Sequence, residues 1–530
     1  MLISSLAGAA PPHLERHGDT QQLVVDGKPF LILGGELGNS SASSAGYMEP
    51  HWPRLRAMNL NTVLTPVYWE LIEPTEGKFD WSSLDAMLRG ARGHDLRLVM
   101  LWFGAWKNSM STYVPSWVKR DAARFPRVAV ADGGSVEILS VFGKNLLAAD
   151  SRAFVALLDH LKSTDTANTV LMIQVENEIG MLPIARERGT VADKAFAGPV
   201  PAELMRALAG SKLLEPELLE RWRANGTKIS GSWAQVFGDD EWGQEVFTAW
   251  HYARFVDALV KAGKARYPLP MYVNAALNRT GRKPSEYPSG GPVPHLLDVW
   301  KAGAPSLDFL APDIYFPNFT QLAGRFRRAD NMLFVPEANN ATNPQGAANA
   351  FYAFGALDSL GFSPFSIESL GDAPNVLSQA YSTISQLQPL ILENRGRDRL
   401  RGFRPRIGED GSVDETPAKT RLGGVEFTVT FVDPWTPKDQ QTVANHGGMM
   451  IWAGGEDYWF AGQGITVTFR GADGGPTLVG IDVAEEGEFD AAGKWLAGRR
   501  LNGDQTHQGR HIRLPPGKPQ IQKVRFYRYE

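Results

Sequence analysis

Leu171-Met172-Ile173-Gln174-Val175-Glu176-Asn177-Glu178-Ile179-Gly180 reads as a buried strand cut short by charge. The apolar run from Val170 to Val175 is what a parallel strand covered on both faces requires. Acidic groups at its C-terminal end stand where barrel enzymes keep their chemistry. The pattern recurs far along the chain in Met332-Leu333-Phe334-Val335-Pro336-Glu337-Ala338-Asn339-Asn340, an apolar run ending in a lone glutamate. Two glutamates on two separate strand ends imply a paired-carboxylate glycosidase.

On either side, from about Gln22 to about Leu387, short apolar runs alternate with amphipathic stretches, the pattern of repeated βα units. The predicted strands are Phe30–Glu36, Thr62–Tyr68, Leu96–Phe103, Val170–Val175, Met271–Ala275, Phe309–Tyr315, Leu333–Glu337 and Phe362–Ile367. Eight in one run favour a closed (β/α)8 TIM barrel over an open sheet. Predicted helices between them include Trp81–His94, Arg152–Lys162, Glu245–Tyr267 and Ala347–Leu360. An insertion over about 186–242, with a helical stretch at Pro201–Asn225, follows Glu178 and is expected either to fold over the barrel mouth or to pack as an extra helix pair. Around Glu393–Lys419 the chain turns charged, glycine-rich and aperiodic. Beyond it, alternating runs at Val425–Phe431, Met449–Ala453, Ile465–Phe469 and Lys523–Tyr529 predict a smaller antiparallel β-domain. The expected organisation is a flexible N-terminus at 1–20, a catalytic barrel at 21–390, and a linker with a C-terminal β-sandwich-like domain at 391–530.

At 530 residues, a barrel plus a smaller domain fits the length. The net charge of −4 offers no basic surplus for nucleic acid. The absence of cysteine removes disulfides, thiol nucleophiles and thiolate metal sites. No stretch approaches a membrane span in length. The small, apolar start Met1-Leu2-Ile3-Ser4-Ser5-Leu6-Ala7-Gly8-Ala9-Ala10 reads either as a trimmed export signal or as a plain N-terminus. A periplasmic or secreted location is slightly favoured over a cytoplasmic one, and the oligomeric state is not legible.

Glycoside hydrolysis needs one carboxyl group to protonate the departing oxygen and a second across the sugar. In retaining enzymes the second attacks the anomeric carbon, and the pair lies about 5–5.5 Å apart. Glu178 and Glu337 suit these roles if their strands face one barrel mouth. Asn177 can hydrogen-bond a sugar hydroxyl, and such bonds to the 2-OH strengthen in the transition state. Glu176 should point away from substrate, as a structural group. Tyr315 either hydrogen-bonds Glu337 or is a core residue, and Glu368 either binds sugar hydroxyls or serves as a cap or ion-pair partner, the second being favoured. Glu36, Asn39, Trp106 and Asn108 lie on loops expected to line the sugar pocket. Trp233 and Trp242 are either aglycone contacts or core. His51, His251 and His295 have no partner at metal-ligand spacing, no phosphate loop occurs, and no cofactor or metal is called for.

Gln174-Val175-Glu176-Asn177-Glu178-Ile179-Gly180 closely resembles the signature of glycoside hydrolase family 35, whose members are mainly β-galactosidases. Tyr68-Trp69-Glu70-Leu71-Ile72-Glu73-Pro74-Thr75-Glu76-Gly77-Lys78-Phe79-Asp80-Trp81 resembles the strand-two region of that clan, and Leu33-Gly34-Gly35-Glu36 the end of strand one. The resemblance covers roughly residues 20 to 390. It implies a retaining (β/α)8 enzyme with Glu178 as acid/base, Asn177 as a 2-OH ligand and Glu337 as nucleophile. Three features depart from the pattern. Trp102-Phe103-Gly104-Ala105-Trp106-Lys107-Asn108-Ser109 replaces a Cys-Ala-Glu-Trp-like segment, Pro66 stands where a tyrosine is usual, and the Glu337 segment lacks the Ser-Glu-aromatic form. The expectation is an exo-acting β-galactosidase acting on a β-galactoside. The alternatives are another glycosidase of the clan (β-glucosidase, β-xylosidase or endo-glycanase) and a non-catalytic carbohydrate-binding barrel.

Overall fold

The computed structural model describes residues 10–472 and 478–530. Strands Ile32–Glu36, Thr62–Tyr68, Arg97–Lys107, Val170–Asn177, Met271–Ala276 and Phe309–Asp313 lie parallel and in chain order, and Gly361–Phe362 pairs with the first. The two edges of this seven-stranded sheet meet across Met332–Glu337, through bridges of Glu337 to Asp313 and Val335 to Phe362. Backbone N–H groups of Ile314 and Ser363 donate to the carbonyls of Glu337 (2.7 Å) and Val335 (3.0 Å), which closes the expected barrel.

Its last two staves are weaker than the sequence predicts. Pro336 has no N–H to offer a ladder, so Leu333–Glu337 makes bridges and no regular strand. The predicted Phe362–Ile367 strand stops at Phe362, with Pro364 just beyond it and one further bridge pair at Phe365. The apolar runs have the reason assumed for them. Leu98, Val99, Met100 and Leu101 are completely buried between the barrel interior and the outer helices. Each such side chain contributes about 1.5–3 kcal/mol.

The outer helices include Ser82–Gly93, Lys144–Thr164, Glu241–Lys264, Gly346–Ala356 and Val376–Asn394. Asp240 caps the third through Gly243 N–H, and Asn375 and Ser378 cap the last reciprocally. The helical stretch of the insertion is a pair, Ala202–Gly210 and Pro216–Ala224, with Gly210 ending one and Pro216 opening the other. They pack against Leu297–Gly303 and the turn before it.

Residues 1–9 lie outside the described residues, but the rest of the expected flexible N-terminus is ordered. His13–His17 pairs with Thr20–Val25, which pairs with Lys28–Phe30. Asp26 in this sheet accepts from Arg97 (2.9 Å) and Asn168 (2.8 Å), both at the N-terminal ends of barrel strands, so the sheet sits opposite the catalytic end.

The C-terminal part holds an antiparallel six-stranded sheet and a four-stranded sheet around a core of Phe427, Tyr458, Phe460, Val467 and Phe526. Its other face joins the barrel core through Leu400, Met449, Ile451, Trp459 and Ile521. A Cβ on Gly355 would lie 2.9 Å from the Gly402 Cα, so helix Gly346–Ala356 rests directly on strand Leu400–Phe403. Among the described residues no helix is long and apolar enough to cross a membrane.

Candidate active site

The strand Val170–Asn177 does not simply end; it twists. Glu176 (φ 60°) and Glu178 (φ 44°) both adopt left-handed backbone, which costs an L-residue about 1–2 kcal/mol. Strict alternation would send Asn177 and Glu178 to opposite faces. The two left-handed residues break that alternation. Asn274 on the neighbouring strand fixes the result by accepting from Glu178 N–H at 2.9 Å.

Carboxylate oxygens of Glu178, Asp313 and Glu337 all lie within 4.8 Å of one another. Glu178 is 7% exposed and Glu337 3% exposed. Burial, then the neighbouring Glu337, push the Glu178 carboxyl up to about 7, with Lys107 opposing. Asp313 is raised well above the carboxylate range, first by burial and then by Glu337 and Glu178. It accepts from Asn274 Nδ2 at 2.5 Å. Tyr315 donates its hydroxyl to Glu337 Oε2 at 2.6 Å, one of the two roles read for it in the sequence.

Glu36 is fully buried and no N–H or hydroxyl reaches its carboxyl oxygens; its neighbour is the Glu337 carboxyl, with which the protonated form hydrogen-bonds. Burial raises it well above the carboxylate range, reinforced by Glu337 and opposed by Lys107. It belongs to the acidic cluster and not, as expected, to an outer loop. Glu178, Asp313 and Glu337 are the acidic group with oxygens close enough to share a cation. The Lys107 ammonium faces the same group and opposes the rise of Glu178 and Asp313.

Asn177 is fully buried, its Oδ1 accepting from Lys107 Nζ at 2.7 Å. Glu176 does turn away: its Oε2 accepts from Trp106 N–H at 2.8 Å, and its carboxyl faces Asp150 beneath the site. Asp150 in turn accepts from Trp102 Nε1 at 2.9 Å.

Other expectations need correction. Trp106 does not line the pocket. The strand expected to end at Phe103 runs on to Lys107, which turns Trp106 outward onto Tyr252 and Phe255 with its Nε1 on the Leu139 carbonyl at 3.1 Å. Glu368 is occupied: it accepts from Gly38 N–H at 2.9 Å and from the Ser41 hydroxyl, clasping the loop after the first strand. Asn39, on that loop, is half-buried with its Oδ1 unpartnered, and Asn108 is exposed with its N–H on the Asn177 carbonyl at 3.2 Å. Trp233 is core, packed on Phe247, whereas Trp242 lies under the Arg221 guanidinium at 3.5 Å. Lys107, Asp313 and Asn274 were missed. Their one signal was a polar residue at or near the C-terminal end of an apolar strand.

A groove of about 710 Å³ lies elsewhere, between helix Val376–Asn394 and the C-terminal sheet. Two of its amides are already used, Asn59 on the Ser378 carbonyl and Gln386 on Phe489 N–H, and it holds no comparable acidic cluster.

Comparison with known proteins agrees with the signature. The chain is 28% identical over 188 residues to a β-galactosidase of Xanthomonas manihotis, covering 33% of this chain and 28% of that protein. It is 30% identical over 163 residues to human β-galactosidase-1-like protein 3, covering 30% and 23%. The chain thus spans about a quarter of the length of these curated relatives. A family model described as a domain of unknown function (DUF5597) matches residues 377–513. Similar solved structures include the catalytic domain of a β-amylase from Paenibacillus polymyxa, at 13% identity and TM-score 0.48, over 67% of this chain and 98% of that one. A β-galactosidase from Rahnella sp. R3 follows at 14% identity and TM-score 0.46, over 71% and 57%. Over about a third of its length the chain is similar to these β-galactosidase relatives, in keeping with its resemblance to glycoside hydrolase family 35.

Proposed function

We propose that the protein is a retaining, exo-acting β-galactosidase that removes terminal β-galactose from oligo- or polysaccharides. The observation that carries this reading is the Glu178–Glu337 pair. Two buried carboxylates from opposite sides of one barrel mouth lie within 4.8 Å, with the Glu178 carboxyl raised to about 7. That spacing suits the about 5–5.5 Å separation of a retaining pair and leaves no room for the water of an inverting one.

Glu337 attacks the anomeric carbon while the bond to the leaving oxygen breaks, and that oxygen takes the Glu178 proton. A water then gives its proton to Glu178 and attacks the same carbon, releasing Glu337. Bonding to the sugar removes the Glu337 charge that had helped raise Glu178, so the acid of the first step becomes a base in the second. Tyr315 holds the attacking carboxylate in place. The near-complete burial of both glutamates supports a pocket closed around one terminal sugar. Galactose is the choice supported by the curated relatives.

Hydrolysis of 4-nitrophenyl β-galactoside by wild type and Glu337→Ala, with azide added, tests the reading. Wild type should turn over, and azide should rescue Glu337→Ala as the α-galactosyl azide. A β-azide from that variant would reject the role of Glu337. Wild type inert on the galactoside but active on a β-glucoside or β-xyloside would reject galactose alone.

A further inference from the structure

We propose that Lys107 is a positioning residue that sets the polarity of the Asn177 amide, so that the site donates a hydrogen bond to the sugar hydroxyl beside the anomeric carbon. This rests on the glycosidase reading above and adds a residue to it.

An ammonium group has three donors and no acceptor. The atom of Asn177 that meets Lys107 Nζ at 2.7 Å is therefore the carbonyl oxygen. The amide nitrogen is forced to the other side, and there Nδ2 is buried without a partner. A buried N–H without a partner costs about 1–3 kcal/mol, which a sugar oxygen would relieve. Asn177 adjoins Glu178 in the chain, so that unpartnered donor stands beside the proposed proton donor.

The fold goes to some length to bring Lys107 there. Trp102 pairs with Val175 and Lys107 with Asn177, so one strand advances five residues while its neighbour advances two. The excess is taken up around Gly104, where a Cβ would lie 2.3 Å from Trp102 Nε1 and 2.8 Å from Glu176 Oε1. Asn108 N–H then donates to the Asn177 carbonyl, locking the two backbones together. The ammonium sits 5.0 Å from the centre of the Phe103 ring, which favours its charge while the side chain is 4% exposed. Without Lys107 the Asn177 amide is free to rotate and present its oxygen instead.

The test compares kcat/KM for 4-nitrophenyl β-galactoside and its 2-deoxy analogue in wild type, Lys107→Met and Lys107→Arg. Wild type should favour the parent sugar by about 10–100-fold, the worth of one hydrogen bond strengthened in the transition state. Lys107→Met also takes the cation away from the acidic cluster, a loss common to both sugars, so the inference is read in their ratio: the preference for the parent sugar should collapse towards one. Lys107→Arg, which still only donates, should restore part of it. A parent-to-2-deoxy preference in Lys107→Met equal to that of wild type, with the same Tm, would confine Lys107 to the electrostatics of the carboxyls and overturn the inference. Wild type that treats both sugars alike would overturn it too. Activity on a different β-glycoside defeats the galactose reading alone, and the comparison then runs on the 2-deoxy form of that sugar. Failure on every β-glycoside defeats the glycosidase reading, and the inference with it. A crystal structure of the free protein reads the contact directly, and an Nζ–Oδ1 distance beyond about 3.5 Å would overturn it whatever the kinetics.

Discussion

Raising Glu178 to about 7 should place the alkaline limb of activity near neutrality. An unperturbed carboxyl at 4.5 would be protonated in roughly 0.3% of molecules at pH 7, whereas one at about 7 is protonated in roughly half. The shift amounts to roughly 3 kcal/mol of preference for the neutral form, supplied mainly by burial and secondarily by Glu337. The perturbation is Glu178→Ala, and the assay is kcat/KM against pH with two aglycones. An alkyl β-galactoside has a leaving oxygen that needs a proton; a 2,4-dinitrophenyl β-galactoside does not. Wild type should lose activity on the alkyl substrate as pH rises through about 7. Glu178→Ala should abolish that limb and cost about 10²–10⁴-fold on the alkyl substrate, the usual worth of general acid catalysis. On the dinitrophenyl substrate kcat/KM should fall by less than about tenfold, because it reports only the step that needs no acid. A wild-type limb at pH 5 or below would refute the argument from burial. Equal losses on both aglycones would refute the role.

Tyr315→Phe removes the 2.6 Å hydrogen bond to Glu337 and should lower kcat by about 10–100-fold at unchanged Tm, read by steady-state kinetics and a melting curve. Glu36, Glu176, Glu178 and Asp313 all have carboxyl groups raised in the folded protein. Each retains a proton that the unfolded chain loses above about 4.5, so the stability they contribute is present below that pH and lost as pH rises. Urea unfolding should therefore show lower stability at pH 8 than at pH 5. Glu36→Gln should flatten the slope by up to about 1.4 kcal/mol per pH unit. Gly104→Ala puts a methyl 2.3 Å from Trp102 Nε1 and should destabilise by about 1–3 kcal/mol, seen as a lower urea midpoint.

The parts of the fold legible in the sequence were those where one physical demand dominates. Strands Thr62–Tyr68 and Val170–Asn177 are buried on both faces, so their apolar runs carry the signal directly. Glu178 and Glu337 were visible as a pair: one strand-end carboxyl is commonly a surface or capping group, but two ending separate buried runs point to one barrel mouth. Legibility failed where local geometry departs from the period. Trp106 looked like a loop residue because nothing in Gly104-Ala105-Trp106 announces that the strand continues through an irregular pairing with its neighbour. A capping role for Glu368 was legible, but its partners, Gly38 and Ser41, were not, because they lie more than three hundred residues earlier.

The acidic cluster shows why the whole site could not be read one residue at a time. Glu36, Glu178, Asp313 and Glu337 converge from four different staves, and Lys107 from a fifth is the cation that faces them. Four buried carboxylates against one ammonium would leave about three uncompensated charges in a dry pocket, which no fold of ordinary stability can hold. Some must keep protons, and the neighbours decide which. Glu36 and Asp313 are the more enclosed and are raised furthest, whereas Glu178 keeps a small opening to the mouth and comes to rest near neutrality. An acid that must give up a proton and take it back each turnover needs that middle position. The extra carboxyl of Asp313 thus has a chemical part: held neutral, it adds no full charge against Glu178 and hydrogen-bonds it, which offsets part of the rise due to burial and Glu337. Replacing Asp313 with asparagine should therefore move the alkaline limb only slightly, whereas replacing Glu337, whose charge raises Glu178 more than anything except burial, should move the Glu178 titration further down.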